Sequence, residues 1–175
     1  MRFRAALCVV CLAAALIPGD TFAQGWSYFG ADKAFTRYSG LGQINEDNVD
    51  ALTVLWRRPG VDGSLRNVFP ELPLRGNLRS TPIIVDGVLY APNGWGLVEA
   101  FDPGTGETVW VQDPWDSSEV AANAQSTRGV DYWVDGSDRR IISITGGYLY
   151  ALDLATGDPI ESFGEAGRVS LVPPG

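Results

Sequence analysis

The sequence predicts an all-β protein built from repeated four-stranded units, and three observations support that fold class. Short apolar stretches are separated by tight-turn signals, and an Asp-Gly hairpin dipeptide occurs at Asp86-Gly87 and again at Asp135-Gly136. The eleven residues from Ala100 to Trp110, AFDPGTGETVW, share their frame with ALDLATGDPIE, from Ala151 to Glu161, at an offset of 51 residues. A period of about 50 residues is typical of β-propellers, in which each repeat forms one blade.

The first unit spans Thr81 to Gln112, and its strands follow from the chemistry of its turns. Asp86-Gly87 supplies the positive φ angles of a two-residue hairpin, and Pro103 to Gly106 turns the chain into the last strand. In the third strand both faces are apolar, so both must be covered. The predicted strands are Pro82 to Val85, Val88 to Ala91, Leu97 to Asp102 and Thr108 to Gln112.

The second unit is predicted from Gly129 to Phe163. In the shared frame a small Ala lets a neighbouring sheet approach, an Asp accepts amide protons in the turn, and a Gly tolerates positive φ. Trp110 then places a large ring over the adjoining sheet, whereas the second copy has Glu161 at that position. Pro159 is expected in the fourth strand, at an outer edge where no ladder amide is lost.

Composition and charge exclude several classes of protein. The 175 residues are 45% hydrophobic and include 21 Gly and 11 Pro, which indicates a turn-rich globular chain. The net charge of -8, with no basic run, argues against nucleic-acid binding. Acidity favours a positively charged protein partner, and it equally serves to keep a secreted protein soluble. The absence of His removes the commonest metal ligand and any His-based acid or base.

The amino terminus is predicted to be a secretory signal peptide at residues 1–23. Its parts are a positive start (Arg2, Arg4), an apolar run (Ala5 to Ile17) and a small-residue cleavage site (Thr21-Phe22-Ala23). An uncleaved anchor is the alternative, but the apolar run is too short to span a bilayer. The mature domain is expected to cover 24–175, to be periplasmic and to contain no transmembrane segment. Because Cys8 and Cys11 lie in the removed segment, it would hold no disulfide.

An arm and a loop separate the signal from the first unit. Asn45 is expected to cap a short helix that ends at Leu52, and Val54 to Trp56 is expected to be a strand. Pro59 to Ser80 is predicted to be a loop, since it has little periodicity. Taken without further information, its arginines are interpreted as solvated charges. They include Arg66, Arg75 and Arg79.

The arm carries a family resemblance. Its matching residues are Trp26, Tyr28, Gly30, Asp32, Thr36 to Ser39, Leu41, Gln43 to Asn45, Asn48-Val49, Leu52 and Trp56. At this spacing they resemble the amino-terminal arm of the quinoprotein dehydrogenases, which use pyrroloquinoline quinone (PQQ) to oxidise alcohols and sugars. The similarity continues through TPIIVDGVLY, AFDPGTGETVW, TRGVDYW and the second frame. It implies an eight-bladed propeller, of which this chain is the amino-terminal part, with the arm and about two blades.

The resemblance implies two arginines as candidate cofactor contacts. In the family an arginine just before the Gly of the second blade's first strand contacts the quinone, and Arg128 occupies that place. A guanidinium suits a planar polyanion because its donors are fixed and bidentate. Without the resemblance, Arg128 is interpreted as a surface arginine beside Asp131. Many members place a glutamate two residues before the Thr-Pro of the first blade, but this chain has Arg79 there. The hypothesis is that Arg79 meets a quinone carboxylate instead.

Other parts of the family's chemistry are not assigned to this chain. The alcohol-oxidising branches carry adjacent cysteines before that arginine, whereas Ala121 to Thr127 holds none, so the sugar-oxidising branch fits better. The Ca²⁺ ligands, the catalytic aspartate and the stacking tryptophan lie in later blades in the family. Asp102 and Asp153 are explained by the turns, and Glu99 and Asp116 are interpreted as solvated charges.

The resemblance implies an exported dehydrogenase that oxidises a sugar or alcohol hydroxyl with PQQ and Ca²⁺. Electrons would pass to cytochrome c or to membrane ubiquinone. The alternatives are a non-enzymatic propeller scaffold with the same blade motif and an inactive truncated relative. The arm sequence TRYSGLGQINEDNV favours the dehydrogenases over the scaffold. Because the metal, base and stacking ring are missing, the 175 residues alone are expected to be inactive.

Overall fold

The structure is a computed structural model that describes residues 25–73, 78–113 and 125–172. The predicted signal peptide, Arg75, Asp116 and residues 121–124 lie outside the described residues. The elements in chain order are a 3₁₀ helix (Val49–Ala51), α1 (Gly63–Val68), β1 (Ile83–Val85), β2 (Val88–Pro92), β3 (Val98–Phe101), β4 (Thr108–Val111), β5 (Asp131–Asp135), β6 (Asp138–Thr145), β7 (Tyr148–Asp153) and β8 (Arg168–Ser170).

The strands form two antiparallel four-stranded sheets, ordered β1-β2-β3-β4 and β5-β6-β7-β8. Each sheet opens on a two-residue hairpin, at which Val85 pairs with Val88 and Asp135 pairs with Asp138. Gly87 has φ +78° and Gly136 has φ +58°, as such turns require. The predictions of an all-β fold and of two four-stranded units are confirmed.

The main core lies between the two sheets and explains the apolar third strand. All four residues of β3 are buried. Val98 and Ala100, both 0% exposed, face the second sheet, where they pack in one cluster with Ile141 and Leu152. The opposite face of β3 is covered by the arm and by the segment that contains α1, so the predicted burial on both faces is confirmed.

Two tryptophans make the same contact with successive sheets. Each ring lies against the glycine of a Thr-Gly turn, Trp56 against Gly106 and Trp110 against Gly157. Each indole N–H donates to a main-chain carbonyl of that turn, at 2.9 Å from Trp56 and 3.1 Å from Trp110. The predicted role of Trp110, a ring over the adjoining sheet, is confirmed, and Trp56 fills the same role one repeat earlier.

The fourth strand of the second sheet differs from the prediction. Pro159 forms only an isolated bridge with Leu152. The Ile160 amide still donates to the Ala151 carbonyl at 2.9 Å, and the chain then turns away, with the Phe163 amide donating to the Ile160 carbonyl at 2.8 Å. It returns at β8, where Arg168 pairs with Tyr150. The predicted end of the unit at Phe163 is therefore wrong, since the sheet continues to β8.

The arm contains less regular structure than predicted. The expected helix is only the three-residue 3₁₀ turn Val49–Ala51, and the residue at its N-cap is Asn48 and not Asn45. The side chain of Asn45 accepts the amide of Asp47 at 2.9 Å, four residues ahead of Ala51. Residues 54–56 are not a strand, since none of the strands in the described ranges pairs with them.

The predicted loop between arm and first sheet contains a short helix. Asp62 caps α1, and its Oδ1 accepts the Ser64 amide at 2.8 Å. Leu65 is buried with Val61 and Trp95 in a second apolar cluster. The helix was missed because six residues are too few for helical periodicity to show in the sequence.

Candidate functional site

The candidate site lies where β1 and β5 begin. Arg79 lies four residues before β1 and Arg128 lies three residues before β5 (83 − 79 and 131 − 128). The segments run side by side, because Thr81 and Gly129 form a parallel bridge and the Thr81 amide donates to the Arg128 carbonyl at 2.9 Å. We call residues 78–82 and 125–130 the arginine seam. The structure thus brings the two sequence-predicted site residues to one edge.

Serine hydroxyls join the two segments of the arginine seam. The Arg79 amide donates to Ser126 Oγ at 2.8 Å. Ser80 Oγ lies 3.2 Å from Ser126 Oγ and 2.5 Å from the carbonyl oxygen of Pro92, to which it donates. Main-chain and hydroxyl contacts therefore fix the backbone, and the arginine side chains take no part in these bonds. Both arginines are solvent-exposed.

A tight turn between β2 and β3 closes the same end of the first sheet. We call residues 92–97 the rim turn. Asn93 Oδ1 accepts the amides of Trp95 at 2.8 Å and Leu97 at 3.1 Å. Gly96 has φ +87°, and a methyl group built on it would lie 2.7 Å from both the Gln125 carbonyl oxygen and Thr145 Oγ1. Only glycine fits there, so the rim turn and the seam are in direct contact.

Two threonines at this edge were not singled out in the sequence. The Thr127 hydroxyl is buried and has no hydrogen-bond partner among the described residues. Thr145, the last residue of β6, reaches the seam through Gly96. Thr127 directly precedes Arg128, and Thr145 lies just before the Gly146-Gly147 turn. Their positions in the sequence could have drawn attention to them, but nothing in their residue type indicates a role at this edge.

An open groove of about 610 Å³ runs beside Arg128. Its walls are mainly apolar and include Phe29, Ile142 and Leu149, and Thr127 and Arg128 also line it. A guanidinium at the edge of an apolar surface is suited to a flat, anionic molecule, because the ring system packs on the apolar wall while the charge is paired.

Glu99 is not a solvated charge, and the sequence-based interpretation of this residue is wrong. It is 3% exposed, on the face of β3 that the arm covers. Its carboxylate accepts from Arg58 Nη2 at 2.6 Å, the Asp62 amide at 2.8 Å and Asn93 Nδ2 at 2.9 Å. The sequence did hold one indication of its burial, because Glu99 corresponds in the repeat to Tyr150 of the second copy (150 − 99 = 51).

The other carboxylates are held by local bonds. Asp102 Oδ1 accepts the amides of Gly104 and Thr105 at 2.8 and 2.7 Å, with Thr105 the larger cause of a pKa below its ordinary value. Asp153 accepts the corresponding amides at 2.9 and 3.0 Å, so the prediction that these residues serve turns is confirmed. Burial opposes ionisation of Asp62, but hydrogen bonds from Thr108 and Ser64 lower its pKa overall.

The described part of the chain offers no cluster of three or more His, Cys, Asp or Glu side chains that could hold a metal ion. Within the same ranges, no helix has the length and apolar character needed to cross a membrane. The charged side chains near the candidate site are Arg79, Arg128 and Asp131, and Asp131 lines the groove together with Arg128.

Comparison with known proteins gives one consistent family. The profile described as "PQQ: Glucose/ethanol/alcohol dehydrogenase, beta-propeller domain" matches residues 26–174. The "Alcohol dehydrogenase (quinone), dehydrogenase subunit" of Gluconacetobacter polyoxogenes is 29% identical over 91% of this chain and 19% of its own length. The "1-butanol dehydrogenase (cytochrome c)" of Thauera butanivorans is 33% identical over 88% of this chain and 20% of its own length.

Solved structures agree with the sequence matches. The quinohemoprotein alcohol dehydrogenase from Comamonas testosteroni superposes with a TM-score of 0.59 at 32% identity, covering 78% of this chain and 18% of that one. A europium-containing methanol dehydrogenase gives a TM-score of 0.54 at 27% identity, covering 76% of this chain and 22% of that one. The chain thus spans about a fifth of the length of the relatives it matches.

Proposed function

The chain belongs to the PQQ-dependent glucose/ethanol/alcohol dehydrogenase family of β-propellers, and we propose that it forms the arm and first two blades of an exported dehydrogenase. The observation that carries the proposal is the arginine seam. It lies within the matched residues and presents Arg79 and Arg128 from two segments that run side by side just before the first strands of the two sheets. Two cations at one edge suit the carboxylates of PQQ, because guanidinium groups pair with carboxylates in bidentate fashion.

The proposed substrate is an alcohol hydroxyl, with a sugar hydroxyl as the second choice. The relatives reported above are named as alcohol dehydrogenases, and one is named for 1-butanol. The family description includes glucose as well. The absence of a cysteine pair between Ala121 and Thr127 supports the sugar-oxidising alternative. A substrate panel must therefore contain both classes.

The residues of the seam would bind and orient the cofactor. When bound, PQQ supplies the two-electron oxidation of a hydroxyl to a carbonyl. Arg128 and Arg79 would pair with its carboxylates, and the buried Thr127 hydroxyl offers a hydrogen-bond donor that no described residue uses. The apolar wall beside Arg128 would exclude water from one side of the ring system. These residues set affinity and orientation, while the proton acceptor would come from residues outside this chain.

The remaining parts of the proposal concern what the whole protein needs. Ca²⁺ would be bound by residues outside this chain. Electrons would pass to cytochrome c or to membrane ubiquinone, in line with relatives named for a cytochrome c acceptor and for a quinone. Cleavage of the signal after Ala23 would deliver the protein to the periplasm.

The test is cofactor binding by the full-length protein. Wild type, Arg128→Ala, Arg79→Ala and Arg79→Glu are titrated with PQQ in the presence of Ca²⁺, and dye reduction is followed with alcohols and sugars. Arg66→Ala is the matched control, because Arg66 is exposed on α1 and lies off the seam. We expect each seam variant to raise the PQQ dissociation constant about tenfold or more, since each loses a charge-assisted contact.

Among these variants, the charge reversal Arg79→Glu is the most discriminating. An unchanged or lower dissociation constant for Arg79→Glu would remove Arg79 from the site. A wild-type protein that binds no PQQ and reduces no dye would favour the non-enzymatic scaffold or the inactive relative over the dehydrogenase.

A further inference from the structure

We propose that Glu99 is a positioning residue for the arginine seam, because its buried carboxylate holds the rim turn and the rim turn packs against the seam. The inference rests on the proposed function only in its cofactor readout. It starts from an anomaly of the repeat: the first sheet carries Glu99 where the second carries Tyr150, and both side chains are buried. A charged residue at such a position requires a specific reason, since burying a carboxylate is costly unless it is paired and hydrogen-bonded.

Glu99 connects three separate segments. One oxygen, Oε2, accepts from Arg58 of the arm at 2.6 Å. The other, Oε1, accepts from the Asp62 amide at the start of α1 at 2.8 Å and from Asn93 Nδ2 of the rim turn at 2.9 Å. The side chains of Arg58 and Glu99 are 14% and 4% exposed, so the ion pair is shielded from water. The two oxygens therefore have different tasks, with Oε2 neutralised by the arm and Oε1 accepting two neutral N–H groups.

Asn93 passes this constraint to the rim turn. Its amide nitrogen is held by Glu99, and its amide oxygen accepts the Trp95 and Leu97 main-chain N–H groups. A second tether holds the same turn, because the Gly94 amide donates to the Gly60 carbonyl at 2.7 Å. With Asn93 fixed, the turn keeps the conformation in which Gly96 has positive φ.

The rim turn in turn supports the seam. Gly96 abuts the Gln125 carbonyl, which belongs to the same seam segment as Arg128. At the other end of the rim turn, the Pro92 carbonyl accepts the Ser80 hydroxyl, next to Arg79. A shift of the rim turn would therefore move the backbone beneath both arginines.

The two tasks of the carboxylate are separable by substitution in the full-length protein. Glu99→Gln keeps an oxygen for Asn93 and Asp62 but turns an amide toward Arg58. Arg58→Met/Glu99→Met removes both charges of the buried pair, a replacement that is often neutral for stability, but it removes the acceptor of Asn93 and of the Asp62 amide. It also removes the 3.5 Å contact between Arg58 and the Asp62 carboxylate, which keeps its hydrogen bonds from Ser64 and Thr108. Gly96→Ala perturbs the contact between rim turn and seam directly.

The matched control removes a carboxylate from an ion pair at the far end of the strands. Asp86→Asn breaks the exposed pair between Asp86 and Arg139 at the β1–β2 hairpin. Asn tolerates the positive φ of that position, 49°. We expect this variant to leave the seam and its PQQ affinity unchanged.

Two readouts are measured beside the urea midpoint of unfolding. The first is the PQQ dissociation constant. The second is deuterium uptake by peptides covering 78–82 and 125–130, whose Arg79 and Thr81 amides are hydrogen-bonded across the seam. For Arg58→Met/Glu99→Met and for Gly96→Ala we expect faster uptake and PQQ binding weakened about tenfold, the effect of one lost hydrogen bond. For Glu99→Gln we expect a lower urea midpoint with seam uptake and PQQ affinity within about twofold of wild type.

The pattern across variants decides the proposal. One outcome is that PQQ affinity and seam uptake follow the urea midpoint. Glu99→Gln would then show the weakest PQQ binding and the fastest uptake, and the double Met variant would match wild type. In that case Glu99 has only a structural role and the proposal is overturned. If wild type binds no PQQ but the uptake pattern holds, the proposed function fails while the positioning role stands. If seam uptake is unchanged in the double Met variant, the positioning role fails whatever the cofactor does.

Discussion

Gly157 provides a direct test of how one sheet locks onto the next. It has φ +79°, and a methyl group built on it would lie 2.5 Å from Cε3 of Trp110. The ring has little freedom to move away, because it is 8% exposed and its N–H is bound to the Leu154 carbonyl. Gly157→Ala should therefore carry two costs, one from the left-handed backbone and one from overpacking against the ring.

Gly87 separates these two costs. Its φ of +78° is almost the same, but nothing lies within 4 Å of a methyl group built there. Gly87→Ala should lose about 1–2 kcal/mol of unfolding free energy, the cost of positive φ alone. Gly157→Ala should lose about 2–5 kcal/mol, since overpacking adds about 1–3 kcal/mol.

The assay is urea unfolding followed by circular dichroism, which does not depend on the number of tryptophans. Combining Gly157→Ala with Trp110→Leu should give a loss smaller than the sum of the single losses by about 1–3 kcal/mol, because the clash is then relieved. Equal losses for Gly87→Ala and Gly157→Ala, or additive single variants, would refute the contact between Trp110 and Gly157 as a lock.

Three further predictions follow from other parts of the chain. The pKa of Asp62 lies below its ordinary 3.8. Its ionised carboxylate therefore contributes stability above about pH 4, and this stability is lost as the pH falls through the lowered pKa. In acid-unfolding curves, Asp62→Asn should lose less stability than wild type between about pH 4 and pH 2. The Tyr90 hydroxyl donates to the Leu154 carbonyl at 3.2 Å, and burial raises its pKa to about 12; Tyr90→Phe should lose about 1 kcal/mol by urea unfolding, equally at pH 6 and pH 9. Mass spectrometry of the periplasmic protein should find Gln24 at the amino terminus, and an intact Met1 would contradict the signal peptide.

The local features of the fold could be predicted because they depend on neighbouring residues. An Asp-Gly dipeptide between apolar runs fixes its own hairpin, and a strand with two apolar faces must be covered on both. β8 could not be predicted in the same way, since its position depends on the turn that begins after Pro159 and on the pairing with Tyr150. Long-range pairing of this kind leaves no local signal.

The same distinction between local and long-range signals applies to the candidate site. Arg79 and Arg128 each lie just before the first strand of a predicted unit, so the sequence could place them at the same end of adjacent sheets. Glu99 was misread because its partner Arg58 is 41 residues away, in an arm segment whose path the sequence did not reveal. A single acidic residue in a strand is usually solvated, and only the covering of that face makes Glu99 buried.

A comparison of the two copies of the repeat shows why the departure occurs at Glu99. Some positions of the repeat keep the same residue in both copies, as Ala100 and Ala151 do at 0% exposure and as Asp102 and Asp153 do in the turn. Glu99 and Tyr150 lie on the face opposite to these alanines. In the second sheet that face packs against the first sheet, and Tyr150 belongs to the shared core. In the first sheet the same face is covered by the arm through Trp56 and Arg58. A carboxylate there has a cation and two N–H donors from segments that contact the first sheet. The arm therefore allows a charge in the first sheet that the repeat itself does not require, and that charge is placed one residue away from the packing core that both sheets share.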